Sequence, residues 1–308
     1  MLVTSVTVRV PAKINLQLAV GPPRPDGYHG LVTVFHAVSL FDDVTVTPAK
    51  TDSVTVTGEG ASLVPEDGDN LALRAVRVLR QAFAQHRDAA APGGVAVTIA
   101  KRIPVAGGMA GGSADAAAAL VACNELWGTG LSQPDLCALG SQVGSDVAFA
   151  VIGETAIGRG RGELLTPVQT PAETTYHWVL ALADGHLSTP KVFRELDKQR
   201  QSREVAEPDL SQELMEALNA GDHRKLGTAL TNDLQEPALT LFPALRKTLA
   251  AGIEAGALGA LVSGSGPTCF FLAETASEAT TLVNKLSSAS VSRAVTSASG
   301  PAAGATVI

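Results

Sequence analysis

Aromatic residues are scarce in this chain, at 4% of 308 positions, and only three cysteines occur, Cys123, Cys137 and Cys269. Their odd number and wide spacing exclude a disulfide framework and a zinc-finger spacing, and leave reduced, buried thiols in a cytoplasmic protein as the expectation. No block of like charges is present and the net charge is −7, which argues against a nucleic-acid partner, since such a partner needs a basic face. A basic segment followed by an apolar run is missing at the start, so no secretory leader is expected. The longest uncharged span, Ala255 to Ala273, is broken by Gly264, Ser265, Gly266 and Pro267. It reads as strand, loop and strand rather than as a membrane span. Neither Gly-Lys-Ser/Thr nor G-x-G-x-x-G occurs in the glycine-rich segment before Asp115, which excludes the two commonest nucleotide loops there.

What is there instead is Pro104-Val105-Ala106-Gly107-Gly108-Met109-Ala110-Gly111-Gly112-Ser113-Ala114-Asp115. Few side chains block the backbone of this stretch, so its N–H groups can approach a bulky ligand. A strand (Val95, Val97 and Ile99 alternating) precedes it, and an Ala- and Leu-rich helix, Ser113 to Trp127, follows. A small-residue loop at a helix N-terminus directs N–H donors and a positive dipole end at one point, the geometry of a polyphosphate cradle. A merely tight turn is the alternative. Ser113 fits a helix N-cap, and equally a hydroxyl offered to phosphate or Mg²⁺.

Length and composition predict two α+β lobes. Strands are expected at Val6–Val10, Lys13–Val20, Thr33–Leu40, Val44–Thr47 and Val54–Thr57, and a helix over Asn70–His86. Ser132 with Asp135 marks another helix start. The lobe boundary falls in Leu165–Thr174, giving domains 1–168 and 169–308. The second lobe opens with an apolar strand, Trp178–Ala183, and Thr189-Pro190 reads as N-cap and first-turn proline of a solvated helix. Helices over Ser211–Asn219, His223–Thr231, Phe242–Glu254 and Ser277–Leu286 surround strands Leu258–Ser263 and Thr268–Ala273.

Three further features carry chemistry. Lys13 is the only charge between Arg9 and Arg24, inside an apolar strand pattern, so it needs a carboxylate or phosphate partner or an edge position from which to reach water. Asp146, in Gly144-Ser145-Asp146-Val147, is a helix cap or a base; paired with Lys13 it would stay ionised. Tyr28-His29, in a Pro/Gly-rich loop, suits base stacking or simple anchoring of the loop. Ser263–Pro267 forms a second glycine loop, for a second phosphate or for a tight hairpin.

Together these segments resemble the GHMP small-molecule kinases: the first glycine loop is similar to their second motif, and Ser263-Gly264-Ser265-Gly266 to their C-terminal motif. Pro11-Ala12-Lys13-Ile14-Asn15-Leu16, Asp26-Gly27-Tyr28-His29, Ser145-Asp146-Val147-Ala148-Phe149 and Thr189-Pro190-Lys191-Val192-Phe193 are similar to the branch that phosphorylates a cytidine diphosphate conjugate of methylerythritol. The resemblance implies a two-lobed fold, an N-terminal ATP-binding lobe and a C-terminal α/β lobe, with the active site between them. It implies ATP and Mg²⁺, Asp146 as base and Lys13 as its charge partner. Asn70, Lys101 and Pro104 to Ala114 would hold ATP, with Ser113 on Mg²⁺. Asn15, Tyr28, His29, Thr189, Phe193, Gly264, Ser265 and Gly266 would hold the acceptor. A monomer or weak homodimer, with no nucleic acid and no membrane, completes the expectation. Ala106 and Ala110 stand where the family usually has Gly, and Ala114 where a second Ser is frequent. A mevalonate- or homoserine-type kinase and a catalytically silent sensor are the alternatives.

Overall fold

The chain crosses from one mixed sheet to a second, antiparallel one and twice returns to the first. The computed structural model describes residues 4–25, 27–87, 92–201 and 204–308; Asp26 of the Tyr28 motif lies outside them. The first lobe contains β1 (Val6–Pro23), β2 (His29–Ala49), β3 (Ser53–Gly58), α1 (Leu71–Arg87), β4 (Gly94–Lys101), α2 (Gly111–Trp127), α3 (Gln133–Val143), α4 (Val147–Ile152), β5 (Thr155–Gly160) and β6 (Leu164–Pro167). Beyond them the chain forms β7 (Tyr176–Leu182), α5 (Thr189–Arg200), α6 (Gln212–Ala220), α7 (His223–Ala229), β8 (Thr231–Asn232), α8 (Gln235–Leu241), α9 (Ala244–Glu254), β9 (Gly259–Val262), β10 (Cys269–Ala273), α10 (Ala276–Ala289), β11 (Ala294–Gly300) and β12 (Thr306–Val307).

Where four strands were expected at the start, two long ones form. β1 runs through Pro11, with a register shift between Pro11 and Ala12 against β2. That bulge absorbs the missing proline N–H and lets the strand continue. From Val10 to Leu18 every residue of β1 is buried, because both faces of the sheet are covered there. α2 is the reason: Ala114, Ala116–Ala119, Leu120, Ala122 and Cys123 are all buried, and their small side chains let the helix lie deep in the core.

The first sheet runs β12-β1-β2-β4-β3, with β5 and β8 pairing on β2 and β1 and β6 on β5; the second runs β11-β7-β10-β9. Residues 231–232 and the C-terminal tail, assigned by the 168/169 boundary to the second lobe, therefore lie on the first sheet. Ala302 donates to the Ala37 carbonyl at 3.0 Å and Ala305 to that of Ala150 at 2.9 Å. Apolar residues of both lobes, Ile14 and Leu120 with Trp178 and Phe270, share one core cluster. α8 was not legible because Pro237 sits inside it. Among the described residues, no helix is long and apolar enough to cross a membrane.

Candidate active site

Between the lobes lies a cleft of about 930 Å³, lined by Lys13, Tyr28, the first glycine loop, Asp146, Phe193 and Ser265 among others. Its floor is set by contact between the two glycine loops. Gly108 has φ +78°, and a Cβ there would run into the Ser263 carbonyl. Ser263 Oγ donates to the Gly108 carbonyl at 3.0 Å, and the Thr268 N–H reaches that of Gly107 at 3.3 Å. The second loop thus buttresses the first, while Gly264 and Ser265 still line the cleft; Gly266 turns away, toward Val262, Leu187 and Ala238.

Ala110, not Ser113, is the N-cap of α2, with φ +58°, and Ala106 has φ +53°. An alanine in this left-handed region costs roughly 1–2 kcal/mol. α2 therefore starts earlier than expected, and Ser113 falls inside its first turn, with its side chain released from capping and lining the cleft. Pro104, Ala106, Gly107, Gly108 and Ala110 to Gly112 also line it. Met109 and Ala114 do not: the Met109 side chain fills the core, and the turn of α2 rotates Ala114 inward. Val105 faces a smaller pocket behind the loop.

Lys13 is only 8% exposed, carried to the cleft floor by the buried run of β1. Its ammonium donates to Asn15 Oδ1 at 2.7 Å, stands 3.6 Å from Asp146 Oδ2 and lies 5.4 Å over the Phe35 ring. The Asn15 amide donates in turn to Thr33 Oγ1 at 2.8 Å, and Thr33 to the Gln17 carbonyl at 2.6 Å. Asn15 thus orients Lys13. Asp146 occupies the N-cap position of α4 but makes no side-chain cap hydrogen bond, so its carboxylate is left to Lys13 and the cleft. A buried ammonium beside a carboxylate supplies a cation where negative charge moves.

At the other end, the His29 ring lies 5.2 Å from that of Phe193, tilted by 32°, and His29 Nε2 meets Asp197 Oδ1 at 2.8 Å. Tyr28 is 56% exposed, with the Arg161 guanidinium 5.4 Å over its ring. The N-cap of α5 is Ser188 rather than Thr189; Thr189 Oγ1 instead meets Ser265 Oγ at 2.8 Å and ties α5 to the second glycine loop.

Lys101 and Asn70 are absent from the main cleft. Both line the smaller pocket, which shares Leu71, Ala106 and Gly112 with it. The Lys101 ammonium is held by Asp42 at 2.6 Å and Asp115 at 2.7 Å, and Asp42 also accepts the N–H groups of Arg102 and Ile103. The three charges pin β2, β4 and α2 together at both ends of the loop. Burial pushes the Asp115 carboxyl up, against the pull of Lys101. Asn70 accepts from the Ala72 N–H at 2.9 Å and so caps α1. Sequence reasoning missed Asp42, which falls between the strands expected at Thr33–Leu40 and Val44–Thr47 and beside a second acid, Asp43. It also missed Arg74, Arg161 and Arg194, which line the main cleft of this acidic protein. Cations inside a cleft focus a field that draws in phosphorylated ligands. Among the described residues, no group of three His, Cys, Asp or Glu side chains could hold a metal ion.

Comparison with known proteins shows the family. Residues 70–154 match the GHMP kinases N terminal domain and residues 214–292 the GHMP kinases C terminal domain. A 4-diphosphocytidyl-2-C-methyl-D-erythritol kinase of Thermobifida fusca is 55% identical over 313 residues, covering 99% of each chain. One from Nocardia farcinica is 54% identical, covering 98% of this chain and 96% of the relative. A crystal structure of 4-(cytidine 5'-diphospho)-2C-methyl-D-erythritol kinase superposes with a TM-score of 0.75 at 33% identity, covering 95% of this chain and 98% of that one.

Proposed function

The chain belongs to the 4-diphosphocytidyl-2-C-methyl-D-erythritol kinases of the GHMP kinase family, and from that premise we propose that it transfers the γ-phosphoryl group of ATP to the 2-hydroxyl of the methylerythritol unit of that cytidyl substrate. The observation that carries the chemistry is the Lys13–Asp146 pair, 3.6 Å apart, in one cleft with the glycine loop. The acceptor is a tertiary alcohol, a poor nucleophile until oriented and relieved of its proton. Asp146 takes that proton as the hydroxyl oxygen bonds to the γ-phosphorus. The bond from that phosphorus to the β–γ bridging oxygen breaks, and its electron pair leaves on ADP. Lys13 offsets the negative charge gathered between base and phosphoryl group, and the N–H groups of the loop and of α2 cradle the phosphates.

Tyr28, His29 and Phe193 hold the cytidine end by stacking, and the smaller pocket behind the loop takes the nucleoside of ATP. The donor set suits a Mg²⁺ ion held mainly by the nucleotide's own phosphates, since Ser113 offers one hydroxyl and, among the described residues, no group of three carboxylates or other ligating side chains is at hand. When bound, that ion neutralises phosphate charge. Full-length identity to the cytidyl kinases weighs against a mevalonate or homoserine acceptor and against a silent sensor.

Asp146→Asn tests the assignment. Turnover is expected to fall by at least the ~10²–10⁴-fold that a general base supplies, while ATP binding by calorimetry stays measurable. Loss of ATP binding instead would make Asp146 a structural residue.

A further inference from the structure

The geometry points to Arg161 as the residue that grips the diphosphate of the nucleoside-diphosphate acceptor, a role that rests on the cytidyl reading above. That acceptor has a fixed chemical order: base, ribose, diphosphate, then the reacting tetritol. Its base belongs at Tyr28, His29 and Phe193 and its hydroxyl at Asp146, so the diphosphate must lie between these two ends. The cations singled out from sequence do not serve it. Lys101 is consumed by Asp42 and Asp115, and Lys13 is held by Asn15 and Asp146.

Arg161 stands between the two ends. It sits in the turn joining β5 to β6 and lines the main cleft. On one side its guanidinium covers the Tyr28 ring, 5.4 Å from the centroid. On the other, the next residue of the turn, Gly162, presses on the Asp146 end: a Cβ there would lie 3.2 Å from Phe35 Cζ and 4.0 Å from Asp146 Oδ1. The turn is fixed from behind, since the Glu163 carboxylate accepts the Arg161 backbone N–H at 2.6 Å. Glu163 pairs with the Nε edge of Arg161 at 3.7 Å, and the Arg161 side chain is 44% exposed. Among the described residues the two terminal nitrogens of the guanidinium make no hydrogen bond or ion pair, and Arg161 lines the cleft, so that end of the fork is left for a ligand. A planar guanidinium is the side chain best matched to phosphate oxygens, and stacking on an aromatic ring fixes its plane beforehand. Arg194 also lines the cleft, but nothing among the described residues fixes its guanidinium between the two ends.

A double-mutant cycle separates gripping the phosphates from merely supporting Tyr28. Specificity constants for the cytidyl substrate and for ATP are measured for the wild type, Arg161→Gln, Tyr28→Ala and the double variant. Arg161→Gln is expected to lower kcat/KM for the cytidyl substrate about tenfold, the size of an exposed charge-assisted hydrogen bond. The loss enters through KM, the ATP constant stays within twofold, and a smaller loss persists in the Tyr28→Ala background, where no ring fixes the guanidinium plane. If the Arg161 effect vanishes in that background, Arg161 acts only through Tyr28 and the proposal is overturned. An unchanged Arg161→Gln enzyme, or a loss shared equally by ATP, overturns it too. Wild-type protein that fails to turn over the cytidyl substrate would instead refute the functional reading on which the proposal stands.

Discussion

Acidification from pH 7 to pH 5 is expected to cost this protein about 2 kcal/mol of stability through a single side chain, His36. The residue lies on β2, fully buried under the second sheet. Its Nδ1 meets Thr155 Oγ1 at 2.8 Å, its Nε2 has no partner, and the edges of Tyr176 and Trp178 close around it at 5.6 and 5.5 Å between centroids. Gly300 approaches Nε2 so closely that a Cβ would not fit. None of these neighbours carries charge, and burial pushes the imidazole down to about 3 from its usual 6.5. The unfolded chain binds a proton that the folded one refuses, so stability falls as pH drops below about 6.5, at roughly 1.4 kcal/mol per unit. Over the 1.5 units from 6.5 to 5 this comes to about 2 kcal/mol. Urea denaturation of the wild type and of His36→Gln at both pH values isolates the effect, because every other titrating group cancels in the double difference. The shared core of the two lobes favours one cooperative transition. A wild type that loses about 2 kcal/mol more than the variant agrees with the structure. Equal losses would mean that His36 is hydrated or already protonated in the fold, and would refute the reasoning.

Two further outcomes follow from the buried charges behind the glycine loop and from the aromatic end of the cleft. Lys101→Met leaves Asp42 and Asp115 buried without their cation and should destabilise the protein by about 3–5 kcal/mol; a loss below 1 kcal/mol by chemical denaturation would show that the cluster carries little strain when broken. Tyr28→Ala should raise KM for the cytidyl substrate far more than for ATP, since the ring stands at the Phe193 end of the cleft; equal rises in steady-state kinetics would remove the stacking role.

Legibility in the sequence followed how local each cause was. The capping box of Ser132 and Asp135 forms as the sequence predicts, because it depends on four neighbouring residues. The glycine loop between β4 and α2 was visible in its composition. The start of α2 was not, because Ala110 adopts a left-handed conformation that alanine disfavours. Continuous strands through Pro11 were hidden, since a bulge against β2 is a pairing property rather than a local one. The return of the tail to β1 depends on partners hundreds of positions away, and Asp42 gains its meaning only from Lys101 and Asp115. Lys13 stood out by its isolation in an apolar run, but its hold on Asn15 required the fold.

The central claim is tested most directly by following ADP release with Mg²⁺ and ATP in the presence of 4-diphosphocytidyl-2-C-methylerythritol, beside mevalonate, homoserine and galactose. Turnover with the cytidyl substrate alone is the predicted result. Turnover with one of the other acceptors, or with none of the four, would contradict the account.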